Sequence, residues 1–282
     1  MVYSAPDQNA TMQIKTLLPK EHGSWFLFLV PLAVGLGVAG GVNARAGAFV
    51  IAALGLFFAR QPLDVVWRAG HTRADMPPAL IWLIVCALLV VGAGIYLLPV
   101  ARLWGLLPLG LAGAGLLALQ LWAARARLAR TLWSEVIGTA GLALAAAGAH
   151  YAATGAWTVT APVLWLLMAV VGVGGVLYSR WRLRRRRLAL RMAANGEGVI
   201  AAPPRVSVLT HYGGGLALAL LLALFGWAPW AVTPLYLLLL LRVAWGTRPA
   251  ARPDRTVLAI GLGEGIATIA SGLWVVAAYR LG

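Results

Sequence analysis

Three carboxylates, Glu21, Glu135 and Glu264, stand apart from the other acidic residues because each lies at or inside a long apolar run. The other five acids, Asp7, Asp64, Asp75, Glu197 and Asp254, fall in polar stretches where solvation accounts for them. An ionisable group at membrane depth costs roughly 2.5–3.5 kcal/mol on insertion scales, so it tends to mark a function. Glu264 is the sharpest case. It lies about eight residues, or about 12 Å, into its run, and Gly261, Gly263 and Gly265 surround it. A carboxylate there requires a partner or a proton.

Glu21, Glu135 and Glu264 are therefore the candidate acid–base or cation-stabilising groups, with His22 as a proton partner beside Glu21. Arg60 closes the second apolar run just ahead of Gln61-Pro62. A guanidinium in that position can grip a phosphate or carboxylate with two parallel N–H bonds. Arg60, Gln61 and His211 are the candidate substrate-binding residues; no residue is assigned to a metal. Each has a plainer role available. Glu21 and Glu135 suit the positive first turn of a helix, the histidines suit a membrane interface, and most arginines suit anchoring at the inner surface.

The elements that must carry these residues follow from composition. Of 282 residues, 61% are hydrophobic and only 11% charged, against roughly 45–50% and 25% in soluble domains. One soluble core cannot bury that excess, so lipid is implied. The apolar runs fall near 22–42, 45–60, 78–98, 102–122, 133–153, 157–179, 207–226, 228–245 and 256–278. They are continuously apolar, without the alternation of barrel strands. The spacing predicts an all-α, polytopic helical bundle of about nine transmembrane helices, with kinks at Pro31, Pro108 and Pro234. Residues 1–21 form a cytoplasmic N-terminal segment, and residues 22–282 a single transmembrane domain. Cytoplasmic loops are expected near 61–77, 123–132, 180–206 and 246–255. The first run is too long and too poorly flanked for a cleaved signal.

With the N-terminus inside, only Arg45, Arg102 and Arg280 of the 23 Lys and Arg residues fall outside. The positive-inside rule predicts such a bias. The expected location is the inner (plasma) membrane, multi-pass, with the C-terminus outside. On this topology Glu21, Glu135 and Glu264 all lie in the cytoplasmic half, and His211 and Arg60 are on the same side. The first half of the 180–206 connection should continue the sixth helix as an interfacial helix, its basic side chains from Arg180 to Arg191 meeting the anionic headgroups of membrane lipids. The formal charge of +15 thus reflects short basic gaps between spans, not a nucleic-acid surface. Cys86 is the only cysteine, which excludes a disulfide within the chain. P-loop, His-Glu-x-x-His and nucleophile-elbow patterns are absent. Gly261-Leu262-Gly263-Glu264-Gly265 is no dinucleotide fingerprint, since no strand precedes it.

The stretch Leu18-Pro19-Lys20-Glu21-His22-Gly23-Ser24-Trp25 resembles the YwiC-like family of bacterial integral membrane proteins. The resemblance continues at Ala59-Arg60-Gln61-Pro62-Leu63, at Ser134-Glu135-Val136-Ile137-Gly138-Thr139 and at Gly261-Leu262-Gly263-Glu264. That family brings no established activity. The helix count and the loops after helices two, four and six also resemble the UbiA superfamily of intramembrane prenyltransferases. This second resemblance implies a UbiA-like bundle and an isoprenoid-type substrate. It implies magnesium only if the diphosphate chemistry of that superfamily is retained. Here the first loop offers Asp64 and Asp75, widely spaced, and the third offers only Glu197 among arginines.

The expectation is an enzyme acting on a lipophilic substrate with an anionic head, in a polar chamber facing the cytoplasm. The alternatives are a transporter of a small anion or proton-coupled solute, and a non-catalytic subunit of a membrane complex.

Overall fold

A computed structural model describes residues 22–67, 76–126, 128, 131–195, 204–248 and 256–282. Among the described residues all regular structure is helical. The chain order is α1 (His22–Ala39), α2 (Ala44–Trp67), α3 (Met76–Ile95), α4 (Leu106–Arg125), α5 (Leu132–Thr154), α6 (Thr160–Asn195), α7 (Val206–Leu224), α8 (Thr233–Gly246) and α9 (Val257–Leu281). A π-helical turn, Tyr96–Val100, ends α3, and a short 3-10 turn, Trp230–Val232, leads into α8.

Seven of these helices are long and apolar enough to cross a membrane, and Gly23–Ala39 and Trp230–Gly246 are shorter apolar helices. Large apolar side chains face outward along them. On α3, Ile81, Ile84, Leu88, Val91 and Ile95 are all exposed, a surface that suits lipid and not water.

Local chemistry sets the helix ends. The Thr131 hydroxyl accepts from the Ser134 amide at the start of α5, and that of Thr256 accepts from the Ala259 amide at the start of α9. Each satisfies one otherwise orphaned donor. Asn43 Oδ1 accepts from the Ala46 amide at the start of α2, while Asn43 Nδ2 donates 2.7 Å to the Ala153 carbonyl of α5. Gly155 closes α5 in the left-handed conformation, at φ 76°.

The layering is built on α5 and α6, the most buried of the long helices. Helix α1 packs on α5 and α9, α2 on α3 and α5, and α4 on α5; α7 packs on α6 and α8. Small residues allow these approaches, as close packing in lipid requires. A Cβ at Gly35 of α1 would strike the Ala146 carbonyl of α5. Polar tips then fasten neighbouring backbones: Trp165 Nε1 donates to the Ala140 carbonyl at 2.9 Å, and the Tyr236 hydroxyl to the Leu167 carbonyl at 2.8 Å.

Three local expectations need correction. Helix α2 does not stop at Gln61-Pro62 but runs on to Trp67 with Pro62 inside it. A proline there forfeits one backbone bond, and the burial of Pro62 among half-buried neighbours offsets the loss. Helix α6 is unbroken for 36 residues, so it continues through the first half of the 180–206 segment as expected, and the loop bound of 180 is corrected to lie beyond Asn195. Pro108 and Pro234 lie in the first turns of α4 and α8, where the missing N–H has no helical partner to lose. They start helices; Pro31 and Pro62 are the prolines inside them.

Candidate functional site

An aromatic cluster joins the start of α1 to the second half of α2. Trp25 meets Phe57 edge-on at 5.2 Å and Phe58 at 5.6 Å, and Phe28 stacks on Phe57 at 4.6 Å. This contact brings the segment beginning at His22 to the half of α2 that carries Arg60. Glu21 and the side chain of His22 lie outside the described residues.

Arg60 lines a partly open, largely apolar groove of about 550 Å³ bounded by α2, α3, α4 and α5, with Phe28 entering from α1. The groove exists because α5 presents glycines to it. A Cβ on Gly138 would collide with the Gln120 carboxamide, one on Gly148 would collide with the Phe49 ring, and one on Gly141 would press Leu116 at 3.1 Å. Gln120 and Arg60 are its polar lining residues. Neither makes a hydrogen bond or an ion pair to any described residue. Gln61, half-buried, does not line the groove.

The other two candidate acids each pair with an arginine of α6. Both oxygens of Glu264 are engaged: Arg182 Nη1 reaches Oε1 at 3.2 Å, Arg242 Nη2 reaches Oε1 at 2.5 Å, and Arg242 Nη1 reaches Oε2 at 3.3 Å. The two guanidinium carbons lie 5.4 Å and 5.2 Å from the centre of the buried Tyr178 ring, a cation–π arrangement. Glu264 thus ties α9 to α6 and α8. The glycines around it leave the space: a Cβ on Gly263 would lie 3.4 Å from Arg182 Nη1, one on Gly175 of α6 would lie 3.7 Å from Glu264 Oε2, and Gly265 admits the Phe26 ring of α1.

Glu135 accepts from Arg180 Nε at 2.6 Å, which ties α5 to α6. Arg180 and Arg182 stand two residues apart, about 3 Å along the axis but about 200° around it. Glu135 and Glu264 are therefore level with one another on different faces of α6. His211 Nε2 lies 2.9 Å from the Val170 carbonyl, a tie between α7 and α6. Glu135, Glu264 and His211 do not line the groove that Arg60 enters. Among the described residues no three His, Cys, Asp or Glu side chains form a metal-ligating group, so no carboxylate set suited to magnesium occurs among them.

Sequence reasoning missed Arg180, Arg182, Arg242, Tyr178 and Gln120. Two of these carried a signal. Arg242 directly follows Leu237-Leu238-Leu239-Leu240-Leu241 within the eighth apolar run, and Gln120 is the one amide in the fourth. The cation that answers Glu264 had to come from another helix, and Arg242 is embedded in one.

Residues 18–150 match the family model described as YwiC-like protein. The YwiC-like segment contains α1 through most of α5, and so Trp25, Arg60, Gln120, Glu135 and the whole glycine track of the groove. Arg182, Arg242 and Glu264 lie beyond the YwiC-like match. No curated protein matches the chain, and no solved structure does.

Proposed function

We propose that this is a nine-crossing protein of the inner membrane that holds a lipophilic molecule with an anionic head in the groove between α2, α3, α4 and α5. The N-terminus and the basic ends of α2, α4, α6 and α8 face the cytoplasm in this reading, and the C-terminus faces outside. The two shorter apolar helices count as crossings because their placement keeps Arg45, Arg102 and Arg280 on one side and the other basic residues on the opposite side, as the positive-inside rule favours.

The observation that carries the reading is the pairing of Arg60 with Gln120 at an otherwise apolar groove, without a hydrogen-bond partner among the described residues. A cation and an amide placed there suit a headgroup, and the leucine, alanine and glycine lining suits a tail. Arg60 grips the anion, and Gln61, next to it in the chain but outside the groove lining, is a further candidate for the headgroup. Glu21 and His22, four and three residues before Trp25 in the chain, are the proton-handling groups of an enzyme at the mouth of this groove. A UbiA-like arrangement and an isoprenoid-type tail are the form that the wider resemblance implies. Glu135 and Glu264 hold α6 against α5, α8 and α9 and so support the bundle around the groove. Arginines between Arg180 and Arg191 contact anionic headgroups.

The test is native mass spectrometry of protein purified from membranes. The wild type should retain an amphipathic ligand, Arg60→Gln should lose it, and Arg60→Lys should retain part of it. A ligand-free wild type, or equal occupancy in Arg60→Gln, would overturn the reading.

A further inference from the structure

The shape of the groove says more about its occupant than the polar mouth does. Its length follows from its lining: Gly138 and Gly148 on α5 are ten residues apart, and Gly110 and Gln120 on α4 likewise, which is about 15 Å in each case. A volume of about 550 Å³ is in the range that takes one small-molecule ligand, roughly 300–1,000 Å³.

The end remote from Arg60 is built shut. Phe49 lies against Gly148, and the π-helical turn brings in Leu97, which is 3% exposed, and Leu98. There the Gly105 amide donates to the Tyr151 hydroxyl at 3.3 Å, which pins the start of α4 to α5. One long side is the reverse. Helices α3 and α4 follow one another in the chain yet scarcely touch along their lengths. Helix α4 is the least buried of the long helices, and its Gly110 and Gly113 have nothing within 4 Å of a Cβ position.

We infer that the occupant is an amphiphile with a single hydrocarbon chain ended by an anion, that it enters sideways from the bilayer between α3 and α4, and that the wall formed by Phe49, Leu97 and Leu98 limits the length of its chain. The inference rests on the proposed headgroup role of Arg60. It adds the number of chains, the route and the limit on length. Lateral entry is needed because the tail never has to leave oil, whereas entry past Arg60 would draw it through water. A fatty acid and a prenyl anion share this chemistry.

The full-length protein in detergent is titrated with saturated fatty acids from octanoate to eicosanoate, and then with prenyl diphosphates from geranyl to geranylgeranyl, with bound ligand read by native mass spectrometry. Affinity should rise with chain length and then stop rising at a limit. Gly113→Phe and Gly110→Phe plug the groove about 10 Å and about 15 Å from Gln120 along α4, in space that no other side chain fills. Both should shorten the limit, Gly113→Phe the more. Arg60→Gln should weaken every length without moving the limit. The relative strength of the two ligand series identifies the source of the anion.

A limit unmoved by both plugs, with Arg60→Gln still weakening binding, overturns the chain-length inference and leaves the headgroup reading intact. Binding indifferent to Arg60→Gln overturns the headgroup reading itself. Dioleoyl phosphatidylglycerol competing as well as the single-chain probes overturns the single chain. A dimer that the plugs dissociate and fatty acids do not displace assigns the groove to a second copy instead.

Discussion

Arg242 meets Glu264 as a fork, with Nη2 2.5 Å from one carboxylate oxygen and Nη1 3.3 Å from the other. The geometry is bidentate, and Arg182 adds a third donor to the same group. The side chain of Glu264 is 12% exposed, so its charge is poorly hydrated and depends on these two cations.

Glu264→Gln should therefore leave two guanidiniums facing one another across Tyr178. The expected loss is on the order of 3 kcal/mol, as for a buried pair with one partner removed. Thermal unfolding in detergent measures it. A melting temperature equal to that of the wild type would show that Glu264 does not hold α9 to α6 and α8.

Glu135→Gln should cost far less. The Arg180–Glu135 pair has side chains 32% and 38% exposed, and exposed pairs are worth about 0–1 kcal/mol. The contrast between the two acids is the informative quantity, and the same unfolding assay reads both. A larger loss for Glu135→Gln than for Glu264→Gln would reverse the assignment of which pair is buried.

Glycines separate into two kinds. Gly35→Ala should destabilise by about 1–3 kcal/mol through overpacking, because its Cβ would strike the Ala146 backbone. Gly47→Ala, where nothing lies within 4 Å, should be neutral or should stabilise by up to about 1 kcal/mol through helix propensity. Equal effects at the two sites would contradict the close approach of α1 to α5.

Topology can be read with cysteines. Cys86 is buried, so Cys86→Ser gives a background without thiols. In intact cells a membrane-impermeant maleimide should label Gly282→Cys, and should label Arg191→Cys only after permeabilisation. Labelling of both positions from the same side would rule out nine crossings.

Most of the architecture was legible because a continuous apolar run can serve only one purpose. Each of the nine runs read from the sequence overlaps a helix of the structure, and boundaries fail where backbone and hydropathy disagree. Gln61-Pro62 and Arg180 to Asn195 are polar by composition but helical by hydrogen bonding, since a helix does not end where oil does. The site was less legible. Glu264 announced a partner, yet periodicity along one helix cannot reveal which other helix supplies it. Arg182 looks like one basic anchor among many until its height against Glu264 is known. Arg60 was read as an anion holder, and the structure gives it a groove. Gln120 escaped notice because an uncharged amide costs the membrane less than a charge does.

Helix α6 spans about 54 Å at 1.5 Å per residue, nearly twice the hydrocarbon thickness of about 30 Å. From Thr160, that thickness ends about twenty residues along, at the turn where Arg180 and Arg182 meet the carboxylates of α5 and α9. Two clasps on opposite faces at that height leave α6 unable to slide or lean without parting one of them. Its height against α5, α8 and α9 is thereby set by these contacts. In a membrane of shorter acyl chains α6 has to adjust together with its neighbours, the bundle tilting as a unit or the lipid puckering around it.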